Sequence, residues 1–308
     1  MTMILGSLQL GLMYGLLAMG VYISFRVLNT PDLTAEGSFT LGVAVSTMVT
    51  VAGHPYLALL AGLLAGMLAG MVTGELQTRV GVHPILAGIL TMSGLYSVNL
   101  AVMGAASNVT MIGVDTIFKR LYAYLPDVAR DVLKVYKEYV KLGVGFVLAL
   151  AVFLLLVWFF KTHVGLCIRA TGNNEAMVRS SSINSHRMKV LGLAVSNGCI
   201  GLSGAIIAQY NGYGDISSGI GILVVGLASV IIGEALIGRR GVTIGLLSAI
   251  AGSVIYRLLI SLALSTDILP SYFLKLISAV IVGIALSIPT IQAKINQARI
   301  RAANREED

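Results

Sequence analysis

Apolar residues gather along the chain into nine runs, roughly 3–25, 34–52, 56–73, 84–104, 142–160, 189–210, 220–237, 242–263 and 270–289, parted by short polar stretches. A helix needs ~20 apolar residues to cross hydrocarbon. The pattern therefore predicts an all-α, polytopic membrane helical bundle of about nine spans, several of them short enough to be tilted or broken. Strands of a membrane barrel would alternate with period two, and LALAVFLLLVWFF (148–160) does not. The first run begins at Met3 without a basic region before it and continues past any cleavage-like site, so it is expected to remain as a span.

Lysine and arginine orient the bundle. Arg26, Arg79, Arg169, Arg179, Arg187, Lys189, Arg239, Arg240 and the basic residues after 291 fall on one side of the alternating spans, whereas the loops AGHP (52–55), NGYGDISSG (211–219) and STDILP (265–270) carry none. This predicts the N-terminus outside, the C-terminus cytoplasmic, a membrane domain over 1–290 and a solvated tail over 291–308. The outer segment 108–141 mixes both signs of charge. Within it LPDVARDVLKVYKEYV (125–140) places Val128, Val132, Val135 and Tyr139 on one stripe behind Pro126, which predicts a short helix lying on the outer face.

Composition sharpens the picture. The chain is 56% hydrophobic and only 11% charged, with a mean hydropathy of +0.89, and its 35 glycines suit closely packed membrane helices. The net charge of +7 is accounted for by basic loops on the cytoplasmic face, without nucleic acid. Cys167 and Cys199 make no disulfide framework, and the four histidines have no metal-ligand spacing. No nucleophile–base constellation is visible, so no catalytic residues are expected. The phosphate-loop pattern G-x-x-x-x-G-K-[ST] is missing too, and energy for any transport must come from a partner or an ion gradient.

Two polar stretches interrupt the pattern. In PDLTAEGSFTLGVAVS (31–46), Asp32 and Glu36 stand where the second span begins from the cytoplasmic side. Asp32 suits a helix start favoured by the N-terminal dipole; Glu36, followed by Gly37 and Ser38, is either a pathway residue or a buried partner of another helix. Gly37, Gly42 and Ala44 share a G-x4-G-x-A pattern with Gly221, Gly226 and Ala228, and opposed repeats of that kind would place a site where they meet. The second stretch is RATGNNEAMVRSSSINSHRMKVLGL (169–193), within a loop over 166–188. Gly172 is expected to break the incoming helix, and Asn173 or Asn174 to cap a short one. Glu175 and Arg179 follow at i,i+4, with Ala176, Met177 and Val178 as an apolar knob, and Asn184 or Ser185 can cap the next span. The alternatives are a crosswise helix at the inner surface and a solvated turn.

This loop, with Ile183-Asn184, Arg187, Lys189, Ser203-Gly204-Ala205 and GLASVIIGEALIG (226–238), resembles permease subunits of ATP-binding cassette importers in the branched-chain amino acid and ribose permease family; PDLTAEGSFTLG is closest to its tryptophan or tyrosine uptake subgroup. The family commonly has Gly where Ser182 stands and a second Gly where Glu234 stands. The resemblance implies a bacterial cytoplasmic-membrane protein that moves a small solute, an amino acid, with aromatic ones among the candidates, by alternating access. Its implied partners are a second permease subunit forming a homodimer or heterodimer, two cytoplasmic ATP-binding cassette subunits holding ATP and magnesium, and an extracytoplasmic solute-binding protein or lipoprotein. No cofactor is implied for this chain itself. Residues 174–179 and Asn184 would then couple it to the ATPase. Candidate pathway residues are Asp32, Glu36, Ser38, Asn99, Asn197 and Tyr210, the mid-span amides being equally suited to interhelical hydrogen bonds. Glu234 is expected to pair locally with Arg239 and Arg240. Arg257 and Lys275 are expected to snorkel or to join Asp215 and Asp267 in an outer ion-pair cluster. An ion-coupled secondary transporter, or a channel-like protein, remains the alternative.

Overall fold

Glycines at every fourth position organise the packing of this protein. In the computed structural model, which describes residues 2–123, 130–238 and 241–265 with Leu276, Val280 and Gly283, helix α3 (Pro55–Thr78) runs antiparallel to the long α9 (Ser185–Asn211). Gly62, Gly66, Gly70 and Gly74 lie against Ala205, Gly201, Asn197, Leu193 and Val190 in descending order. A Cβ at Gly66 or Gly70 would run into the carbonyl oxygens of Asn197 and Leu193, so only glycine lets these backbones approach. Helix α9 is the hub, with 83% of its apolar window buried. Around it stand α1 (Thr2–Tyr22), continued by a π-helical turn at Ile23–Val27, and α2 (Thr34–Val51). Helix α6 (Arg130–Lys161) is peripheral at 17%, turning Phe146, Leu150, Leu154 and Trp158 outward, as a lipid-facing helix must.

Helix α4 (Pro84–Val102) packs on α2, and α11 (Val242–Ser265) packs on α1 and on α10 (Ile222–Ile237). Among the described residues six helices, α1, α3, α4, α6, α9 and α11, are long and apolar enough to cross a membrane; α10 is a shorter apolar helix. The protein is thus a multi-pass helical membrane protein. Its eight helices at the predicted runs up to 263 match the hydrophobic pattern closely. The run 270–289, apart from three helical positions, lies outside the described residues, as do Pro126, Arg239, Arg240, Asp267, Lys275 and the tail 291–308.

Where α9 ends, β1 (Asn108–Thr110) and β2 (Tyr213–Asp215), distant along the chain, pair as a two-stranded antiparallel ribbon, flanked by α5 (Ile117–Tyr122). At the opposite end, α7 (His163–Asn173) and α8 (Glu175–Ser180) precede α9. One local expectation is corrected and one refined. The stretch 130–140 forms the first turns of α6 instead of a separate surface helix, because no proline parts its stripe from the apolar run and a continuous helix keeps every backbone bond paired. The incoming helix breaks twice: first at Thr162, whose hydroxyl caps α7, and again one residue after Gly172, where α7 ends at Asn173 and Asn174 caps α8. Gly172 is helical; it sits against the backbone of Val27 and Leu28, a contact closed to any larger residue.

Candidate functional site

The crosswise element at 174–184 forms as local chemistry requires. Asn174 Oδ1 accepts the Met177 N–H at 3.0 Å and starts α8; Asn184 Oδ1 accepts the Arg187 N–H at 3.0 Å and starts α9. Glu175 pairs with Arg179 at 2.7 Å. A partner that local spacing could not supply, Lys189 on α9, binds the other oxygen at 2.6 Å and braces α8 across the loop. Burial alone would raise the Glu175 carboxyl, but the hydrogen bonds and charges of Lys189 and Arg179 outweigh it and hold it below its ordinary 4.5. Arg179 Nε also donates to Ser185 Oγ at 3.0 Å. Val178 is buried as the anchor, while Ala176 and Met177 stand exposed, Met177 at 53%. Ser182 has φ 60°, a left-handed conformation that favours glycine. Beside α8, a groove of ≈ 570 Å³ opens between Arg79 at the end of α3 and Arg187.

Asp32 is not at the rim of the bundle. It lies fully buried against Asn197, twelve residues into α9, or ~18 Å from its start. Asn197 Nδ2 donates to Asp32 Oδ2 at 2.6 Å, and the Thr34 N–H donates to Oδ1 at 2.9 Å. The connection between α1 and α2 is thus recessed inside the bundle, its polar groups satisfied by protein as irregular backbone within a membrane demands. Asp32 and Asn197 lock α2 to α9 and line no cavity with Glu36.

Glu36 meets a second recessed helix start. After strand β2 the chain dips inward through 216–221, where Gly219 fits against the Glu36 carbonyl and the Thr40 hydroxyl. Gly221 (φ 82°) then begins α10, and its N–H donates to Glu36 Oε1 at 3.0 Å. The Ile222 N–H bonds to the Gly219 carbonyl at 3.1 Å. Glu36 therefore caps α10 from another helix, its charge favoured by the helix dipole. Helices α2 and α10 run in opposite directions from adjoining starts, which is where the G-x4-G-x-A repeats meet.

Between α2, α4 and the dipping segment lies a cleft of ≈ 530 Å³, lined by Glu36, Thr40, Ser93, Tyr96, Asn99 and Ser217, with Met92, Ile216 and Ile220 as apolar walls. Asn99 is 1% exposed; its Nδ2 donates to the Gly37 carbonyl at 3.4 Å, and its Oδ1 has no hydrogen-bond partner among the described residues. Of the predicted pathway residues, only Glu36 and Asn99 share this cleft. Ser38 is fully buried on another face of α2, its hydroxyl also unpartnered among the described residues. Tyr210 donates to Gln9 Oε1 at 2.9 Å, and Gln9 Nε2 donates to Glu138, a network at the end that carries the β ribbon. Thr40, Ser93, Tyr96 and the 216–221 dip escaped the sequence reading, although Gly219 and Gly221 ahead of an apolar run signal a close backbone approach.

Two expected charge pairings reach beyond the described residues. Glu234 binds Arg26 of the π-helical turn at 2.6 Å, a contact between helices that local spacing could not reveal, while its expected partners Arg239 and Arg240 lie outside the described residues. Arg257 stacks over the Tyr14 ring, 3.9 Å from its centroid, and Tyr14 stacks on Phe39.

Comparison with known proteins bears on all these features. The family described as branched-chain amino acid transport system, permease component, matches residues 3–292. A tyrosine transport system permease protein of Clostridioides difficile (strain R20291) is 36% identical over 283 residues, covering 92% of this chain and 90% of that protein. An uncharacterized protein of Rickettsia prowazekii (strain Madrid E) is 30% identical over 291 residues, 93% of this chain and 98% of the relative. No solved structure matches.

Proposed function

This chain belongs to the family of branched-chain amino acid transport system permease components, and from that premise we propose that it is the membrane-spanning subunit of an ATP-driven amino acid importer. The observation that carries the reading is family membership across nearly the whole chain together with a capped, braced helix offering an exposed Met177 at one end. That end faces the cytoplasm, as its basic residues favour, in the inner membrane of a bacterium. Two ATP-binding cassette subunits seat α8 in a groove, and the twin anchors of Glu175 pass their closure into α9, the hub of the bundle. A solute-binding protein docks at the end that carries the β ribbon. A second permease copy completes the passage, which opens alternately to either side by rigid-body rocking. The named relative transports tyrosine, which makes aromatic amino acids the first candidates for the solute.

The test is reconstitution of this chain with its ATPase and binding protein in liposomes. Tyrosine or tryptophan uptake should require internal ATP. Replacing residues 175–179 with glycines should abolish uptake while ATP hydrolysis persists; unchanged uptake would overturn the coupling role of α8.

A further inference from the structure

We propose that the Glu36 cleft is a cation-selecting subsite that receives the ammonium group of the transported solute, an inference that rests on the chain carrying an amino acid. A helix that begins inside a membrane bundle offers its free N–H groups to an anion, and in many membrane proteins that anion could be the ligand's carboxylate. Here the seat is already taken. The Gly221 N–H donates to Glu36 and that of Ile222 to the Gly219 carbonyl, so the Glu36 carboxylate already occupies the place at the start of α10 that a solute carboxylate would take.

What remains open in the cleft is acceptor capacity. Asn99 Oδ1 is buried without a partner among the described residues, the Thr40 hydroxyl already spends its proton on the Glu36 carbonyl at 3.0 Å, and the Glu36 carboxylate keeps lone pairs to share. Among the described residues no lysine, arginine or histidine lines the cleft. An ammonium group has three donors and no acceptor, which matches this surplus; a carboxylate would meet repulsion from Glu36. The volume of ≈ 530 Å³ falls within the ~300–1,000 Å³ of small-molecule sites. Met92, Ile216, Ile220 and Tyr96 give an apolar wall for the rest of the solute.

The experiment uses the full chain in lipid nanodiscs with Ser93→Cys as reporter at the cleft; Cys167 and Cys199 are buried, and the parent chain gives their background. With each reagent's rate normalised to its rate with a small free thiol, a cationic methanethiosulfonate should label this reporter at least about tenfold faster than an anionic one, the local field concentrating cations. Tyramine should slow labelling, and 3-(4-hydroxyphenyl)propionate, with the same ring and the opposite charge, should not. Glu36→Gln keeps an acceptor for the Gly221 N–H and should erase both effects. Ile220→Lys, at an exposed wall position, should do the same without touching the α10 cap. Equal labelling rates, equal protection by the two probes, or selectivity surviving both substitutions would overturn the proposal. Labelling is read on this chain by itself, so a lack of ATP-driven uptake in the unmodified assembly would count against the importer reading, whereas a lack of charge selectivity counts against the cleft.

Discussion

Single side chains divide into those whose partners lie within one helical turn and those whose partners lie across the bundle. Asn174, Asn184 and the Glu175–Arg179 pair belong to the first kind, and capping and i,i+4 spacing announce them. Asp32, Glu36 and Glu234 belong to the second, and nothing in their neighbourhoods names Asn197, Gly221 or Arg26. The Asp32 lock yields a direct expectation. Asn197→Leu leaves a fully buried carboxylate with one lost hydrogen bond and should destabilise the protein by ~1–3 kcal/mol, read as a lower melting temperature in detergent. Ser182 yields another, since its left-handed backbone is open to glycine at little cost. Ser182→Gly should leave α8 in place, whereas the β-branched Ser182→Val should cost ~1–2 kcal/mol and speed hydrogen exchange across 174–184.

Among the elements, α3 and α9 form the closest pair, and their contact is built from backbone. Gly70→Leu should force them apart, costing ~1–3 kcal/mol or more and releasing the Asn197 lock with it. Helix α8 is held more lightly, by the two cations around a partly exposed Glu175, a brace of about 1 kcal/mol or less. Because the folded carboxyl titrates below 4.5, the brace is fully present above that value and is lost as pH falls through the lower, folded pKa. A spin label at Met177→Cys should therefore gain mobility only in that acid range, and Lys189→Met should give the mobile spectrum already at neutral pH. Equal mobility of the two proteins at pH 7 would show that Lys189 does not hold α8.

At the scale of the whole molecule, a force entering at α8 has one continuous route inward. Helix α9 carries Lys189 at its start, Asn197 against the recessed α2 near its middle, and Gln209 near its end, where the side chain accepts the Ile117 N–H at 3.0 Å and donates to the Pro55 carbonyl at 2.9 Å. Motion of α9 as a rigid rod would thus reach the cleft and the β-ribbon end together. Uptake should accordingly stop without ATP and survive collapse of the ion gradient; the reverse dependence would favour the ion-coupled alternative, with Glu36 as the titrating group.

The sequence by itself determined the membrane as solvent, the helices and the short capped element at one end. Those properties follow from the length and polarity of each run and from contacts within a turn or two, which a linear pattern records. Only the tertiary structure decided how deep each helix starts. Asp32 and Glu36 read as rim residues because a helix start is ordinarily at a surface, and the recess appears once α9 and the 216–221 dip supply their partners from 165 and 185 residues away. The cleft follows the same rule: its walls come from three distant segments, and no spacing along the chain encodes their meeting.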